Sequence, residues 1–143
     1  DLKKKYDFKR IAIERDYATT PRVLYCDKTE IEQVILNLLK NAAQAMSEDG
    51  TPSPVITLRT RYASDYVLIE VIDNGPGMDE TTLKRIFEPF FTTKDVGAGT
   101  GLGLSVSYFI VTEQHNGRLS VMSKLGQGAR FSIRLPARRE PLP

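Results

Sequence analysis

The chain has 143 residues, 41% hydrophobic and 27% charged, with 20 basic and 18 acidic side chains and a net charge of +2. That length suits one domain that buries about 68–70% of its unfolded surface, and the balanced charge gives no reason to invoke nucleic acid or a membrane surface. One cysteine, Cys26, excludes an intramolecular disulfide, and no apolar stretch approaches the ~18 residues of a membrane span.

The basic clusters, Lys3-Lys4-Lys5 and Arg138-Arg139, are terminal and read as solvated ends. Cys26 lies in the apolar run Val23-Leu24-Tyr25-Cys26 and reads as a small buried hydrophobe, with no histidine near it in sequence. No signal peptide is expected from the sequence as given, and a chain without an initiator methionine is expected to be a fragment of something longer.

Residues 1–9 are charged and read as an extension or linker remnant. Ile11 and Ile13 alternate with Arg10, Ala12 and Glu14, which predicts a half-buried strand ended by Thr19-Thr20-Pro21. Asp27-Lys28-Thr29-Glu30 is a capping-box pattern opening a helix to about Met46. Ile31, Val34, Ile35, Leu38, Leu39, Ala42, Ala45 and Met46 recur at helical spacing and predict its core face. Glu30, Gln33, Asn37, Asn41 and Gln44 form a second stripe, and Asn37 and Asn41, four apart, point into the same space. A loop is expected over residues 47–54.

Val55–Arg61 and Tyr66–Ile72 read as strands joined at Ser64-Asp65. Asp79 or a neighbour caps a short helix to about Ile86. Residues 87–101 sustain no period. Residues 104–113 read as a helix apolar on most sides and therefore buried, ended by His115-Asn116-Gly117 with the glycine in the left-handed position. Arg118–Ser123 and Ala129–Leu135 read as strands, with Phe131, Ile133 and Leu135 inward and Pro136 stopping the last. Strands returning by hairpins predict a mixed, mostly antiparallel sheet with helices on one face, not a doubly wound fold.

Four motifs carry chemistry. The Asn37 and Asn41 amide oxygens suit Mg²⁺, which prefers oxygen and shares its shell with phosphates; equally, they fill a solvated polar stripe. In Asp73-Asn74-Gly75-Pro76-Gly77-Met78 a carboxylate at a strand end can accept from the exocyclic amine of adenine while the glycines admit the base; a plain turn is the alternative. Gly99-Thr100-Gly101-Leu102-Gly103 precedes a helix, where exposed N–H groups bind anions; a flexible loop is the alternative, and the run lacks the Gly-Lys-Ser/Thr ending of a P-loop. Phe87-Glu88-Pro89-Phe90-Phe91-Thr92-Thr93-Lys94 reads as a lid with aromatic anchors, or as rings that pin a long loop to the core.

Together, in this order, they resemble the ATP-binding superfamily of gyrase, the Hsp90 chaperones, MutL and the sensor histidine kinases. Glu32 to Asn41 resembles the asparagine box; residues 73–78, 99–103 and 126–128 resemble three glycine boxes; and Phe87 to Lys94 resembles the phenylalanine box of histidine kinases. The Asn-Ala-Ala-Gln-Ala-Met ending is similar to that of the nitrogen-regulation and oxygen-sensing subgroup. The likeness covers residues 10–136, leaving 137–143 as a tail.

The resemblance implies an α+β, two-layer α/β sandwich (the Bergerat ATP-binding fold) with ATP between the asparagine helix and a mobile lid. It implies Asn41 as the Mg²⁺ ligand, Asn37 near the phosphates or metal, and Asp73 on the adenine amine. Gly75 and Gly77 would admit the base, and Thr100, Gly101, Leu102 and Gly103 would present the loop to the phosphates. Hydrolysing members have glutamate at the Asn37 position; an amide is no general base, so phosphoryl transfer is expected over hydrolysis.

Gln44 and Ala45 stand where many members have lysine and an aromatic residue, and Ala129 where threonine is usual. Lys94 is the expected substitute for the missing cation. His115, the one histidine, has a context unlike the family's phosphoacceptor and reads as a helix-end residue. The implied function is the catalytic half of a cytoplasmic sensor kinase. Its implied partners are ATP, a separate dimerisation domain bearing the acceptor histidine and a response-regulator receiver domain, without nucleic acid or direct membrane contact. The alternatives are a non-catalytic ATP-binding regulatory module and, less well matched to residues 87–94, a serine kinase of the anti-sigma type.

Overall fold

The computed structural model describes residues 8–20, 23–91 and 103–137. A 3₁₀ turn at Phe8–Arg10 leads into β1 (Ala12–Asp16), α1 (Lys28–Asp49), β2 (Val55–Tyr62), β3 (Tyr66–Asp73) and α2 (Glu80–Arg85). Then follow α3 (Gly103–Phe109), a π turn (Ile110–Gln114), β4 (Arg118–Ser123) and β5 (Ala129–Pro136). The sheet order is β1-β2-β3-β5-β4; β1 runs parallel to β2 and the other pairs are antiparallel. This is the mixed, mostly antiparallel α+β arrangement that the strand pattern predicts.

Alternation builds the core. Ile56 and Leu58 of β2, Ile69 and Val71 of β3, Phe131, Ile133 and Leu135 of β5 and Leu119 of β4 meet Ile31, Val34, Leu38, Ala42, Ala43 and Met46 of α1. Ala43 is buried, whereas Ala45 sits at the edge of the stripe. Local chemistry sets the ends of α1. Asp27 Oδ1 accepts the Glu30 N–H at 3.1 Å. At the other end Gly50 is left-handed (φ 70°), with its N–H turned to the carbonyls of Met46 and Ser47 and the Thr51 N–H bonded to the Met46 carbonyl at 3.0 Å. That closure is a Schellman motif, and it carries the helix three residues past Met46, into the predicted loop.

Three other expectations are corrected. Ile13 is 39% exposed because β1 is an edge strand; only Ile11, just before it, reaches the core. The helix from residue 103 is not buried all round. It turns Ser107, Ile110 and Val111 inward and leaves Val106, Tyr108 and Phe109 exposed, so its apolar content exceeds its buried face. The left-handed residue after the π turn is Asn116 (φ 53°), not Gly117. Gly117 is needed for room, since a Cβ there would strike the Arg134 carbonyl.

Asp16 holds the edge strand in place. Its Oδ2 accepts from Arg59 Nε and Arg61 Nη2, each at 2.9 Å. Arg61 and then Arg59 hold its carboxyl below the ordinary 3.8. The folded value being the lower, this contribution is present above the unfolded pKa and fades as pH falls through the folded one. Cys26 packs against the core, and burial raises its thiol pKa, the opposite of a nucleophile.

Candidate functional site

The candidate site residues of the sequence are spread along α1 and the segments that meet it. Met46 lies nine positions after Asn37, about 13 Å along the helix axis. At the Met46 end lies the loop after β3. Asp73, the last residue of that strand, is 8% exposed, and its Oδ1 accepts the Gly75 N–H at 2.8 Å. A Cβ on Gly75 would sit 2.8 Å from Met46 Cγ and 2.9 Å from Asp73 Oδ1, so glycine lets this loop lie on the helix. Burial raises the Asp73 pKa above 3.8, and the Gly75 and Ala129 N–H groups oppose the rise. A carboxylate kept in a low-dielectric niche with two backbone donors is an acceptor poised for one more polar partner.

Asn74 has a different task from its neighbour. Its Oδ1 accepts the Val55 N–H at 2.8 Å and its Nδ2 donates to the Ser53 carbonyl at 3.1 Å, tying the loop to the start of β2. Gly77 (φ 71°) and Gly128 (φ 75°) bring this loop against the β4–β5 hairpin. A Cβ on Gly77 would strike the Lys124 carbonyl, and one on Gly128 the Asp73 carbonyl.

Near the middle of α1, Asn37 Nδ2 donates to Ser107 Oγ at 3.3 Å, joining α1 to α3. Ser107 is fully buried and was not singled out by sequence, because its partner lies 70 residues away. Asn41 is half-buried on the same helix. Gly103 opens α3, and a Cβ there would meet nothing within 4 Å, so packing does not demand this glycine. Lys94, Thr100, Gly101 and Leu102 lie outside the described residues. Phe87 anchors its segment, stacked on Tyr108 at 5.0 Å and edge-on to Phe131 at 6.4 Å, while Phe90 is 73% exposed. A cavity of about 450 Å³ bordered by Ile72, Asp73, Leu83, Met122 and Arg130 is lined by neither asparagine.

His115 is structural. Its Nε2 accepts the Asp27 N–H at 3.0 Å, and Nδ1 lies 2.9 Å from the Ile110 carbonyl, which fixes the proton on Nδ1. The bond to Asp27 takes the place of the reciprocal half of the capping box, and Glu30 Oε2 is buried without a partner. His115→Ala is expected to cost about 2–4 kcal/mol, from a lost buried ring and an orphaned N–H, read as a lower urea midpoint. With both nitrogens engaged and 4% exposure, His115 in the folded chain should carry no phosphoryl group in an acid-lability assay.

The model for the family described as "histidine kinase-, DNA gyrase B-, and HSP90-like ATPase" matches residues 26–139. The chain belongs to this family. Among curated relatives it is 45% identical over 116 residues to sporulation kinase E of Bacillus subtilis, spanning 81% of this chain and 15% of that protein. It is 41% identical over 143 residues to the sensor kinase CckA of Brucella abortus, covering 90% of this chain and 15% of that protein. The solved catalytic domain of the histidine kinase ThkA aligns with a TM-score of 0.79 and 29% identity, covering 96% of this chain and 86% of that one. Within its family the chain is thus an ATPase catalytic domain of the sensor-histidine-kinase kind, and it spans about a seventh of the length of those two relatives. Among the described residues no helix is long and apolar enough to cross a membrane.

Proposed function

We propose that this chain binds Mg-ATP along α1 and donates the γ-phosphoryl group to a histidine on a separate dimerisation domain of its parent kinase, from which it passes to a response-regulator receiver domain. The observation that supports this reading is that one helix touches both segments that carry the candidate residues: Met46 meets the Asp73–Gly75 loop, and Asn37 meets α3. The crystal structure of full-length ShkA in complex with AMPPNP aligns at a TM-score of 0.79 and 25% identity over 99% of this chain and 28% of that one, and supports nucleotide as the ligand.

Asp73 accepts from the adenine amine, and Gly75 and Gly77 allow the base to lie against the loop. Gly103, with Thr100, Gly101 and Leu102, offers backbone N–H groups to the phosphates, and Lys94 adds positive charge there. Among the described residues no three His, Cys, Asp or Glu side chains form a metal site. The Asn41 amide oxygen would hold a magnesium ion together with phosphates and water, the oxygen set that ion prefers. Bound Mg-ATP supplies the phosphoryl group and the neutralising charge; the protein positions it. Asn37 cannot take a proton from water, which favours transfer over hydrolysis. The working unit is residues 10–136, flanked by 1–9 and 137–143, acting in the cytoplasm without nucleic acid or direct membrane contact.

A second reading, a non-catalytic ATP-binding regulatory module, draws on one observation. Gln44, where many family members have lysine, is 2% exposed and donates to Glu48 Oε1 at 3.1 Å, so it offers no cation to the phosphates. Mixing the chain with a sensor-kinase acceptor domain and γ-labelled ATP separates the two. Label on histidine, reduced in Lys94→Ala, supports the kinase; saturable ATP binding without transfer supports the module.

A further inference from the structure

Ser123, the last residue of β4, uses both capacities of its hydroxyl between two backbones. Its Oγ accepts the Met78 N–H at 2.8 Å and donates to the Gly128 carbonyl at 2.6 Å. The peptide unit held in this way, Gly128–Ala129, has a second edge. The Ala129 N–H is one of the two backbone donors that stabilise the Asp73 anion, and Ala129 stands opposite Asp73 in the β3–β5 register. The other donor, the Gly75 N–H, belongs to the loop that also carries Met78. The contacts therefore close a ring, from Asp73 through Gly75 to Met78, across Ser123 to Gly128–Ala129, and back to Asp73. A bond from the Gly126 N–H to the Pro76 carbonyl at 2.7 Å ties loop and hairpin a second time. Gly77 and Gly128 bring the two backbones into contact, so no larger group can intervene. Hydrogen bonds in such a closed, part-buried circuit polarise one another, and deletion of one member is felt by the rest.

We propose that Ser123 is a positioning residue for nucleotide selection, its hydroxyl fixing the Gly128–Ala129 peptide and Met78 so that the Asp73 carboxylate faces the amine of adenine. The inference rests on the reading of Asp73 given above. Without the hydroxyl, the Met78 N–H and the Gly128 carbonyl lose their partner between packed backbones. The peptide relaxes, and the carboxylate it supports drifts from the position that rewards an amine. The loss falls on base discrimination, beyond any general loss of affinity.

The test is the ratio of dissociation constants for ATP and for purine riboside triphosphate, which lacks the amine, measured on this chain. The wild type should favour ATP by about tenfold or more, the value of a hydrogen bond to a charged group. Ser123→Ala should lower that ratio at least about threefold, and Ser123→Thr, which keeps the hydroxyl, should restore it. Equal weakening of both nucleotides, with the ratio kept, is what a merely structural serine would give and overturns the proposal. If Ser123→Ala does not fold, Ser123→Cys decides by the same ratio: a fall supports the proposal and an unchanged ratio overturns it. A wild type that does not discriminate, or an Asp73→Ala that still does, overturns the reading of Asp73 and the inference with it. A ratio lost in Asp73→Ala yet intact in Ser123→Ala overturns the role of Ser123 alone.

Discussion

Asp73→Ala is expected to weaken ATP binding by about 10- to 100-fold, the ~1.5–3 kcal/mol of a hydrogen bond to a charged acceptor, while the chain stays folded. The two effects separate because of where the carboxylate sits. Burial raises its pKa in the folded chain, so the folded state binds its proton more readily than the unfolded state does. At neutral pH the ionised group therefore opposes folding, and this cost is relieved as pH falls through the raised folded value towards 3.8. Asp73→Asn, which keeps an oxygen for the Gly75 N–H, should melt no lower than the wild type and still bind ATP weakly. By the same sign, ATP affinity should fall on acidification with a midpoint above 3.8, the ordinary value. A thermal melt beside a nucleotide titration checks both; a variant that melts early yet binds normally contradicts the assignment.

Gly128→Ala, like Gly77→Ala, is expected to be among the most destabilising single changes in the site. The residue is left-handed at φ 75°, and a Cβ would strike the Asp73 carbonyl. Left-handed strain of about 1–2 kcal/mol adds to about 1–3 kcal/mol for an overfilled contact, so a loss of roughly 2–5 kcal/mol should appear as a lower urea midpoint. Gly103→Ala is the contrast: its Cβ would meet nothing and it lies in a helix. That variant should be as stable as the wild type or up to about 1 kcal/mol more stable, so any loss of ATP binding there belongs to the ligand and not to folding.

The sequence displays what local chemistry determines. Asp27 and Gly50 bracket α1 with side-chain and backbone caps a few residues long, and the alternating Phe131, Ile133 and Leu135 do go inward. The order of asparagines and glycines is likewise written in the chain, and with it the family. What it hides are polar contacts between distant segments. His115 reaches Asp27 across 88 positions, Asn37 reaches Ser107 across 70, and Met78 reaches Ser123 across 45. No periodicity carries such pairings. A histidine at a helix end and a serine closing a strand look alike whether they bind solvent or hold a site together. Surface and core also differ by context: Val106 and Phe109 have core chemistry but lie on the exposed side of α3, and only the packing of the whole molecule assigns that side.

On the proposed function, one helix carries a magnesium–nucleotide site that runs from Met46 to Asn37. Calorimetric titration of ATP into the chain, with Mg²⁺ and then with a chelator, on the wild type and on Asn41→Ala, tests it most directly. The expected result is one saturable site, tighter with Mg²⁺ in the wild type, whose dependence on the metal disappears in Asn41→Ala. No binding by the folded wild type, or the same dependence on Mg²⁺ in both proteins, would contradict it.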